Sequence, residues 1–361
     1  MTTTVNNEHK NIKVPNLRFP EFQGEWEKYR IEDITENISS GRCKSYSSNG
    51  KYNLYGSTGI IGKTDEACYE GNLVLVARVG ANAGSLQIIN EPCGITDNTL
   101  IIKPKKVDAL YIYYFLQHFN LNRLVFGSGQ PLITGGMLKK VKVSLGNIQE
   151  QNKLTRLLSL LDERIATQNK IIEDLKKLKC AIAERLFKET TGDVVALSDV
   201  CNIQKGKQVN GDCLSENGTY YVMNGGTEPS GYYEQCNTPA NTISISEGGN
   251  SCGYIQYNRE AFWSGGHCYT LTDIQPNVCN LYLYHYMKSK ESAIMKLRIG
   301  TGLPNIQKKD LEKVAILLPP VSKQVRISTF LTAIERKTTN EEILLSHFQE
   351  EKQYLLRQMF I

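Results

Sequence analysis

The sequence predicts an α+β fold with two similar α/β globular lobes, separated by two long antiparallel coiled-coil helices and related by a pseudo-twofold internal repeat. Three features of the 361 residues indicate this architecture. The chain aligns to itself, each copy opens with short β-rich runs between Gly, Asn and Ser turns, and each copy closes with a long heptad-spaced stretch that lacks Gly and Pro.

The internal repeat is clearest where residues 127–133 match residues 300–306. From there an offset of 173 continues without a gap to Phe187 and Phe360. Earlier in the copies an offset of 169 relates residues 80–84 to 249–253, and it pairs three further positions: Gly56, Thr58 and Gly62 with Gly225, Thr227 and Gly231. Glycines, prolines and apolar positions match while polar loop residues differ, which is typical of one scaffold that carries two different surfaces.

Each copy divides into a lobe and a helix. The strand-like runs Asn72–Ala77 and 242–245 indicate a sheet in each lobe, and we expect helices at 111–118 and 282–288 to pack on it. The predicted organisation is an N-terminal tail (1–20), lobe one (21–147), spacer helix one (148–189), lobe two (190–319) and spacer helix two (320–361).

The two spacer helices carry apolar residues that step alternately by four and three, the spacing of a coiled coil. The predicted seam positions are Leu154, Leu158, Leu161, Ile165, Ile172, Leu175 and Ile182 in the first helix, and Ile327, Leu331, Ile334, Leu345, Phe348 and Leu355 in the second. Gln168 and Glu341 occupy equivalent seam positions, as do Lys179 and Lys352. We expect these polar residues to help set the register.

Antiparallel packing is predicted because the short break at 190–192 leads directly from the first helix into lobe two. A parallel pair would need a long connector that the sequence lacks. A helix of this kind is roughly 60 Å long. Two similar lobes on a rigid spacer match a ligand with two related half-sites, and duplex DNA presents the same groove about every 34 Å.

Both helices also carry a second apolar edge, wider than a two-helix seam requires. Its members are Leu157, Leu160, Ile171, Leu178, Phe330 and Leu344. Such an edge predicts a further partner, and the alternative is that the lobes themselves cover it.

Composition excludes several classes of function. No run of 18 apolar residues exists, so we expect no membrane span. The first twenty residues are polar and do not resemble a secretory signal, so we expect a cytoplasmic protein. The ten cysteines form no C-x-x-C pair and the five histidines are scattered, which favours free thiols over a zinc site. The formal net charge of +5 is modest for a non-specific nucleic-acid binder.

Residues 57–64 nearly spell a phosphate-binding loop, but Ser57 stands where the first Gly is required, and the second copy lacks a counterpart of Lys63. A tight turn is therefore expected there. We find no methyltransferase or nuclease motif, so catalysis would come from partners.

Three segments resemble the specificity subunit of type I restriction–modification systems. They are residues 15–20 (Pro-Asn-Leu-Arg-Phe-Pro) with Trp26, residues 127–133 (Gly-Ser-Gly-Gln-Pro-Leu-Ile) with Leu138 and Val141, and residues 318–321 (Leu-Pro-Pro-Val) with Gln324. The first copy has Leu-Gly-Asn-Ile at 145–148 with Gln151, which departs from the double-proline form.

This resemblance implies that each lobe is a target-recognition domain for one half of a bipartite sequence in double-stranded DNA. The helices would act as a ruler and dock two methyltransferase subunits, which recruit restriction–translocase subunits. The chain itself would hold no cofactor, since S-adenosylmethionine, ATP and magnesium would be bound by the partners.

Loops between the matched elements are the natural base readers, because Arg, Lys, Asn and Gln side chains contact base edges and phosphates. The candidates are Arg42, Lys44, Lys63, Arg78, Asn82 and Asn98 in lobe one, and Lys205, Lys207, Asn224, Asn250, Arg259 and His267 in lobe two.

Two alternatives remain at this stage: a coiled-coil adaptor whose lobes bind protein or glycan, and a free-standing enzyme with a site between the lobes.

Overall fold

The computed structural model describes residues 14–44, 46–125, 131–300, 302 and 304–361. Most of the predicted tail and the repeat residues 127–130, 301 and 303 lie outside the described residues. The chain forms two compact units: unit 1 comprises Met1–Asn169 and Leu344–Ile361, and unit 2 comprises Lys170–Ile343.

Unit 1 contains nine strands and three short helices among its described residues. The strands are β1 (Glu27–Arg30), β2 (Thr35–Ser40), β3 (Tyr52–Gly56), β4 (Gly59–Thr64), β5 (Asn72–Ala77), β6 (Leu86–Asn90), β7 (Cys93–Ile95), β8 (Thr99–Pro104) and β9 (Lys142–Leu145). The helices are α1 (Ile31–Ile34), α2 (Ala109–Phe119) and α3 (Gly135–Lys139). The strands form a four-stranded sheet in the order β2-β8-β5-β6, a three-stranded sheet β4-β3-β7 and the antiparallel pair β1-β9.

A long helix, α4 (Ile148–Lys188), follows unit 1's last strand, and the same plan then recurs in unit 2. Its strands are β10 (Asp193–Ala196), β11 (Asn202–Lys205), β12 (Tyr220–Met223), β13 (Tyr232–Tyr233), β14 (Thr242–Ser246), β15 (Ile255–Asn258), β16 (Trp263–Ser264), β17 (Cys268–Thr272) and β18 (Ala315–Leu318). Its helices are α5 (Leu197–Val200), α6 (Asn280–Ser289), α7 (Glu291–Met295) and α8 (Lys308–Leu311), before the long helix α9 (Val321–Met359).

Every sheet of unit 1 has a counterpart in unit 2. The orders are β11-β17-β14-β15, β13-β12-β16 and β10-β18. Even the parallel pairing is kept, since β3 pairs with β7 and β12 pairs with β16 in parallel. As predicted, α2 packs on β5 and β6, and α6 packs on β15. The duplication read from the sequence is therefore a duplication of topology.

The long helices run antiparallel within each unit. In unit 1, Asp162 pairs with Lys352 at 2.6 Å, and the Arg164 guanidinium lies over the Phe348 ring. Because the contacts move forward along α4 and backward along α9, the helices have opposite directions.

Unit 2 shows the same direction of pairing. Lys176 contacts Glu342 at 2.6 Å, and Lys179, further along α4, contacts Glu335, earlier in α9. The predicted fold class is confirmed in this respect.

The seam residues nearest each lobe belong to that lobe's core. Leu154 and Leu158 are buried in unit 1, and Ile327 and Leu331 are buried in unit 2. Of the other seam residues, Leu161 and Ile172 are also buried. The remaining ones are half-buried: Ile165, Leu175, Ile182, Ile334, Leu345, Phe348 and Leu355.

Two of the four polar seam residues, Lys352 and Lys179, form matched ion pairs that are anchored to the lobe helices. In unit 1 the Tyr114 hydroxyl donates to the Asp162 carboxylate, the partner of Lys352, at 2.9 Å. In unit 2 the Tyr284 hydroxyl donates to Glu335, the partner of Lys179, also at 2.9 Å. Burial alone would raise the pKa of the Glu335 carboxyl, but the charge and hydrogen bond of Lys179 lower it overall.

The different sequences that lead into the long helices reach the same geometry. The Gln151 amide donates to the Gly146 carbonyl at 2.8 Å, and the Gln324 amide donates to the Pro319 carbonyl at 2.9 Å. The double proline of the second copy is therefore not needed for this contact.

The near phosphate-loop sequence at 57–64 is a hairpin rather than a nucleotide site. β3 and β4 pair antiparallel on either side of Ser57 and Thr58, and Gly59 adopts a φ of +107°. That φ lies in the region that favours glycine. The prediction of a tight turn is confirmed.

Candidate nucleic-acid interface

The loops that carry most candidate residues of unit 1 lie at one end of the four-stranded sheet. β2 and β5 both run antiparallel to β8, so the segment after β2, the β5–β6 turn and the segment before β8 meet there. We call residues 41–44, 78–85 and 96–98 the sheet end of unit 1. Arg42, Asn82 and Asn98 are exposed in these loops, and Arg78 is half-buried among them.

Backbone contacts hold this sheet end together. The Gly41 amide donates to the Thr99 carbonyl and the Arg78 amide to the Asn98 carbonyl, each at 2.9 Å. The Ser57 hydroxyl donates to the same Asn98 carbonyl at 3.0 Å. A Cβ on Gly41 would overlap the backbone at Thr96, so only glycine allows the chain to pass there before Arg42.

Lys63 lies away from the sheet end, in the three-stranded sheet. Its ammonium donates to the Asn53 carbonyl oxygen at 2.8 Å, and Asn53 and Tyr55 both donate to the Glu91 carboxylate at 2.6 Å. These hydrogen bonds, that of Tyr55 first, lower the pKa of Glu91. The structure thus gives Lys63 a local partner and does not bring it to Arg78. Lys44 is exposed within the sheet-end loop 41–44.

Unit 2 assembles an equivalent sheet end from residues 205–207, 247–254 and 265–267, with Asn224 beside them. Lys207 and Asn250 are exposed, and the Lys207 amide donates to the Ser264 carbonyl at 2.8 Å. The Asn224 side chain accepts from the His267 amide at 3.2 Å. Five of the six candidates of lobe two therefore converge.

Arg259 is the candidate that the structure separates from this group. It follows β15 next to Asn258, which pairs with Thr242 at the far end of β14. The sheet end begins after Ser246, at the other end of that strand.

A cavity of about 530 Å³ opens at the sheet end of unit 2. Lys205, Asn224, His267 and the buried Glu247 line it, together with glycine backbone. Glu247 accepts hydrogen bonds from the Lys205 ammonium at 2.7 Å and the Tyr269 hydroxyl at 2.9 Å, both on Oε1. Its Oε2 lies 3.6 Å from the His267 Nδ1 atom.

Glu247 lines this candidate site, although it was not among the residues predicted from the sequence. It occupies the position of Arg78, because the Glu247 amide donates to the His267 carbonyl at 2.9 Å as the Arg78 amide does to Asn98. Ile306 and Ile133 in turn donate to the Glu247 and Arg78 carbonyls, each at 2.9 Å. The repeat offset of 169 pairs Arg78 with Glu247, so the alignment of the two copies could have identified Glu247 as the counterpart of a candidate residue.

The sequence signature of the type I restriction modification DNA specificity domain matches residues 23–177 and again residues 190–346. The chain belongs to this family. Both sheet ends lie inside a specificity domain, and the resemblance found in the sequence is confirmed. The chain is a DNA sequence-specificity subunit of the type I restriction–modification class.

Known members of the family support this assignment along the chain. A Mycoplasma genitalium protein assigned as a type I specificity subunit is 25% identical over 283 residues, covering 70% of this chain and 74% of that protein. A type I restriction enzyme specificity subunit from Methanocaldococcus jannaschii is 30% identical over 237 residues, covering 56% and 54%. The crystal structure of a type I S subunit from M. genitalium matches with a TM-score of 0.73 at 20% identity, over 96% of this chain and 99% of that one. That similarity shows the shared fold.

Most residues of the second apolar edge, which the sequence predicted on the long helices of this specificity subunit, are exposed in the structure. Leu160, Ile171, Leu178, Phe330 and Leu344 are 39–51% exposed. Leu157 is the exception, since it packs against the core of unit 1.

Apolar cavities flank both long helices. In unit 2 a cavity of about 810 Å³ is lined by Leu186, Val325 and Phe330, and in unit 1 one of about 650 Å³ is lined by Leu160 and Leu344.

No helix among the described residues is long and apolar enough to cross a membrane. Nor do the described residues contain a group of three or more His, Cys, Asp or Glu that could hold a metal ion.

Proposed function

We propose that the chain is the non-catalytic recognition subunit of a cytoplasmic type I restriction–modification complex, and that the two sheet ends read the two halves of a bipartite DNA target. One observation carries this proposal: the two lobes share their topology and backbone contacts but place different side chains, above all Arg78 and Glu247, at equivalent points. Two related domains that recognise different DNA sequences require a common scaffold with different side chains at their sheet ends.

The sheet ends offer two kinds of contact to DNA. Arg42 and Lys207 are exposed and each follows a glycine that lets the chain pass closely over the neighbouring strand. We assign them to phosphates, since cationic side chains on the rim fix the register of a protein on the duplex. Asn82 and Asn250 lie in the equivalent β5–β6 and β14–β15 turns, where an amide can reach a base edge.

The exposed apolar edge of the long helices is proposed as the docking surface for two methyltransferase subunits. An apolar patch of this kind on a well-ordered helix pair is typical of a protein interface. Restriction–translocase subunits would join through that methyltransferase core. S-adenosylmethionine, ATP and magnesium would then be bound by these partners, and this chain would supply recognition and spacing.

The test of recognition is to co-express the chain with its methyltransferase subunit and map methylated bases across the host genome. The expected result is a single bipartite motif with a fixed spacer. Replacing residues 190–319 by the second lobe of another family member should change one half of the motif and leave the other half unchanged. A motif that is undivided, or that survives the exchange unaltered, would overturn the proposal.

Docking is tested separately with Phe330→Asp, which places a charge in the apolar edge of α9. We expect the variant to lose co-purification with the methyltransferase. Asn340→Asp adds the same charge at another exposed position of α9 and should co-purify normally. Equal recovery of both variants would refute the proposed docking surface.

A further inference from the structure

Arg78 and Glu247 are opposite charges at the same point of the duplicated scaffold. Each follows the strand at the centre of its sheet, β5 or β14, and each is held by the same two backbone hydrogen bonds. The side chain that contacts it has changed as well: Ser40, at the end of β2, lies near Arg78, and Lys205, at the end of β11, contacts Glu247. The two lobes therefore place different charges and different partners at this point of the scaffold.

Both side chains carry a buried polar atom that finds no hydrogen-bond partner among the described residues: Nε of Arg78 and Oε2 of Glu247. Glu247 is 8% exposed, so its carboxylate has lost most of its water. A buried donor or acceptor without a partner is costly, so each such atom requires an explanation, and a group supplied by a bound ligand is one. The two atoms have opposite requirements, because Nε needs an acceptor and Oε2 needs a donor.

In unit 1 the Arg78 guanidinium is engaged only lightly, since its Nη1 atom lies 3.4 Å from the Ser40 hydroxyl. The major-groove edge of guanine carries two hydrogen-bond acceptors, O6 and N7, and their spacing allows one guanidinium group to donate to both. A guanine edge would give the Arg78 guanidinium the acceptors that its long contact with Ser40 does not provide.

In unit 2 the Glu247 Oε1 atom is already occupied by Lys205 and Tyr269, which leaves Oε2 as the free acceptor. His267 lies beside Oε2, and its side chain is 64% exposed on the wall of the same cavity. A turn of this ring into solvent would open the carboxylate to the cavity. The donors available in the major groove are the exocyclic amino groups of cytosine and adenine.

We propose that Arg78 and Glu247 are the specificity-determining pair of this subunit: Arg78 reads a guanine in one half-site, and Glu247 reads an amino-bearing base in the other. This inference rests on the proposed function, because it requires the sheet ends to face the major groove. Lys205 and Tyr269 act as positioning residues that hold Oε1 and so direct Oε2.

The experiment is methylation mapping with the full chain and its methyltransferase, comparing wild type with Arg78→Gln and Glu247→Gln. Arg78→Gln should relax one guanine position of one half-site, lowering its preference roughly ten- to a hundredfold. In Glu247→Gln the amide oxygen would take the Lys205 contact, so the NH₂ group would replace Oε2 and favour a base with an acceptor. The base preferred by the wild type distinguishes cytosine from adenine.

Lys63→Gln and Arg259→Gln serve as matched controls, since both lie away from the sheet ends. They should leave the motif unchanged. A wild-type complex with no bipartite motif would contradict the proposed function itself. A bipartite motif in which neither variant changes one defined position, or in which both half-sites weaken uniformly, would overturn only the present inference.

A transplant keeps the inference testable if Glu247→Gln fails to fold. The double variant Ser40→Lys with Arg78→Glu builds the unit 2 pair into unit 1. We expect the guanine position of the first half-site to change to an amino-bearing base, with the spacer and the second half-site unchanged. Retention of guanine by a folded double variant would overturn the inference.

Discussion

The Phe360 ring, one residue beyond α9, offers a direct test of how this segment completes the core of unit 1. The ring is 3% exposed and lies edge-on to Tyr111 and Phe115, with centroids 5.4 and 6.3 Å away. It also stacks on His118 at 5.7 Å. Phe360→Ala removes all three contacts while leaving the helix backbone of α9 unchanged.

The expected cost is about 4 kcal/mol of unfolding free energy for unit 1, because truncating a fully packed Phe loses both its transfer energy and its packing. The aromatic pairs account for part of this cost, at about 0.5–1.5 kcal/mol each. Phe187 is the matched position in unit 2, where it is 5% exposed and packs edge-on to Tyr282 at 5.8 Å and Tyr286 at 5.2 Å. Phe187→Ala should therefore cost unit 2 a similar amount.

Hydrogen exchange measured by mass spectrometry separates the two effects. Phe360→Ala should accelerate exchange in α2, and Phe187→Ala should accelerate it in α6. The reciprocal pattern is the essential result, since each variant is the control for the other. Unchanged protection in α2 for Phe360→Ala, or an equal loss in α2 and α6, would refute the assignment of this ring to the unit 1 core.

Two further predictions concern unit 2. His285 is 2% exposed, and burial lowers its pKa to about 4, so the unfolded chain takes up the proton first as the pH falls from about 6.5. Stability is therefore fully present above pH 6.5 and declines by about 3 kcal/mol towards pH 4. His285→Phe should flatten this decline in thermal melts, whereas His347→Phe, at an exposed position, should leave it intact; equal slopes would contradict the argument. Gly206→Ala would drive a Cβ into the Gly265 carbonyl and should cost about 1–3 kcal/mol. Gly211→Ala has open space and should melt like the wild type, so equal melting temperatures for both variants would contradict this steric reading.

Much of the fold could be predicted because each strong sequence pattern occurs in both copies of the duplication. The heptad spacing indicated the two long helices and the short break at 190–192 indicated that they are antiparallel, and the structure confirms their direction in each unit. Matched glycines also located the turns, since Gly80 and Gly249 both adopt a positive φ. Such signals are local, and local backbone chemistry is what a sequence displays most directly.

The candidate site was less accessible to sequence reasoning because it depends on which strand ends meet. Lys63 and Arg259 are basic loop or edge residues like the others, but the register of the sheets places them away from the sheet ends. Glu247 was not among the sequence candidates because Arg, Lys, Asn and His side chains were favoured there. Its place in the proposed site follows only from its burial and from its equivalence to Arg78.

The matched ion pairs along α4 and α9 indicate why the two lobes could diverge at their tips without losing the common frame. Lys352 with Asp162 and Lys179 with Glu335 tie the long helices together in the same way in both units. These contacts lie far from the sheet ends in the chain and are shared, whereas Arg78 and its counterpart are not shared. Exchanging an exposed side chain at a sheet end changes few packing contacts of the frame, so we expect its effect on stability to be small compared with its proposed effect on base preference. On the proposed function, specificity would then change one lobe at a time.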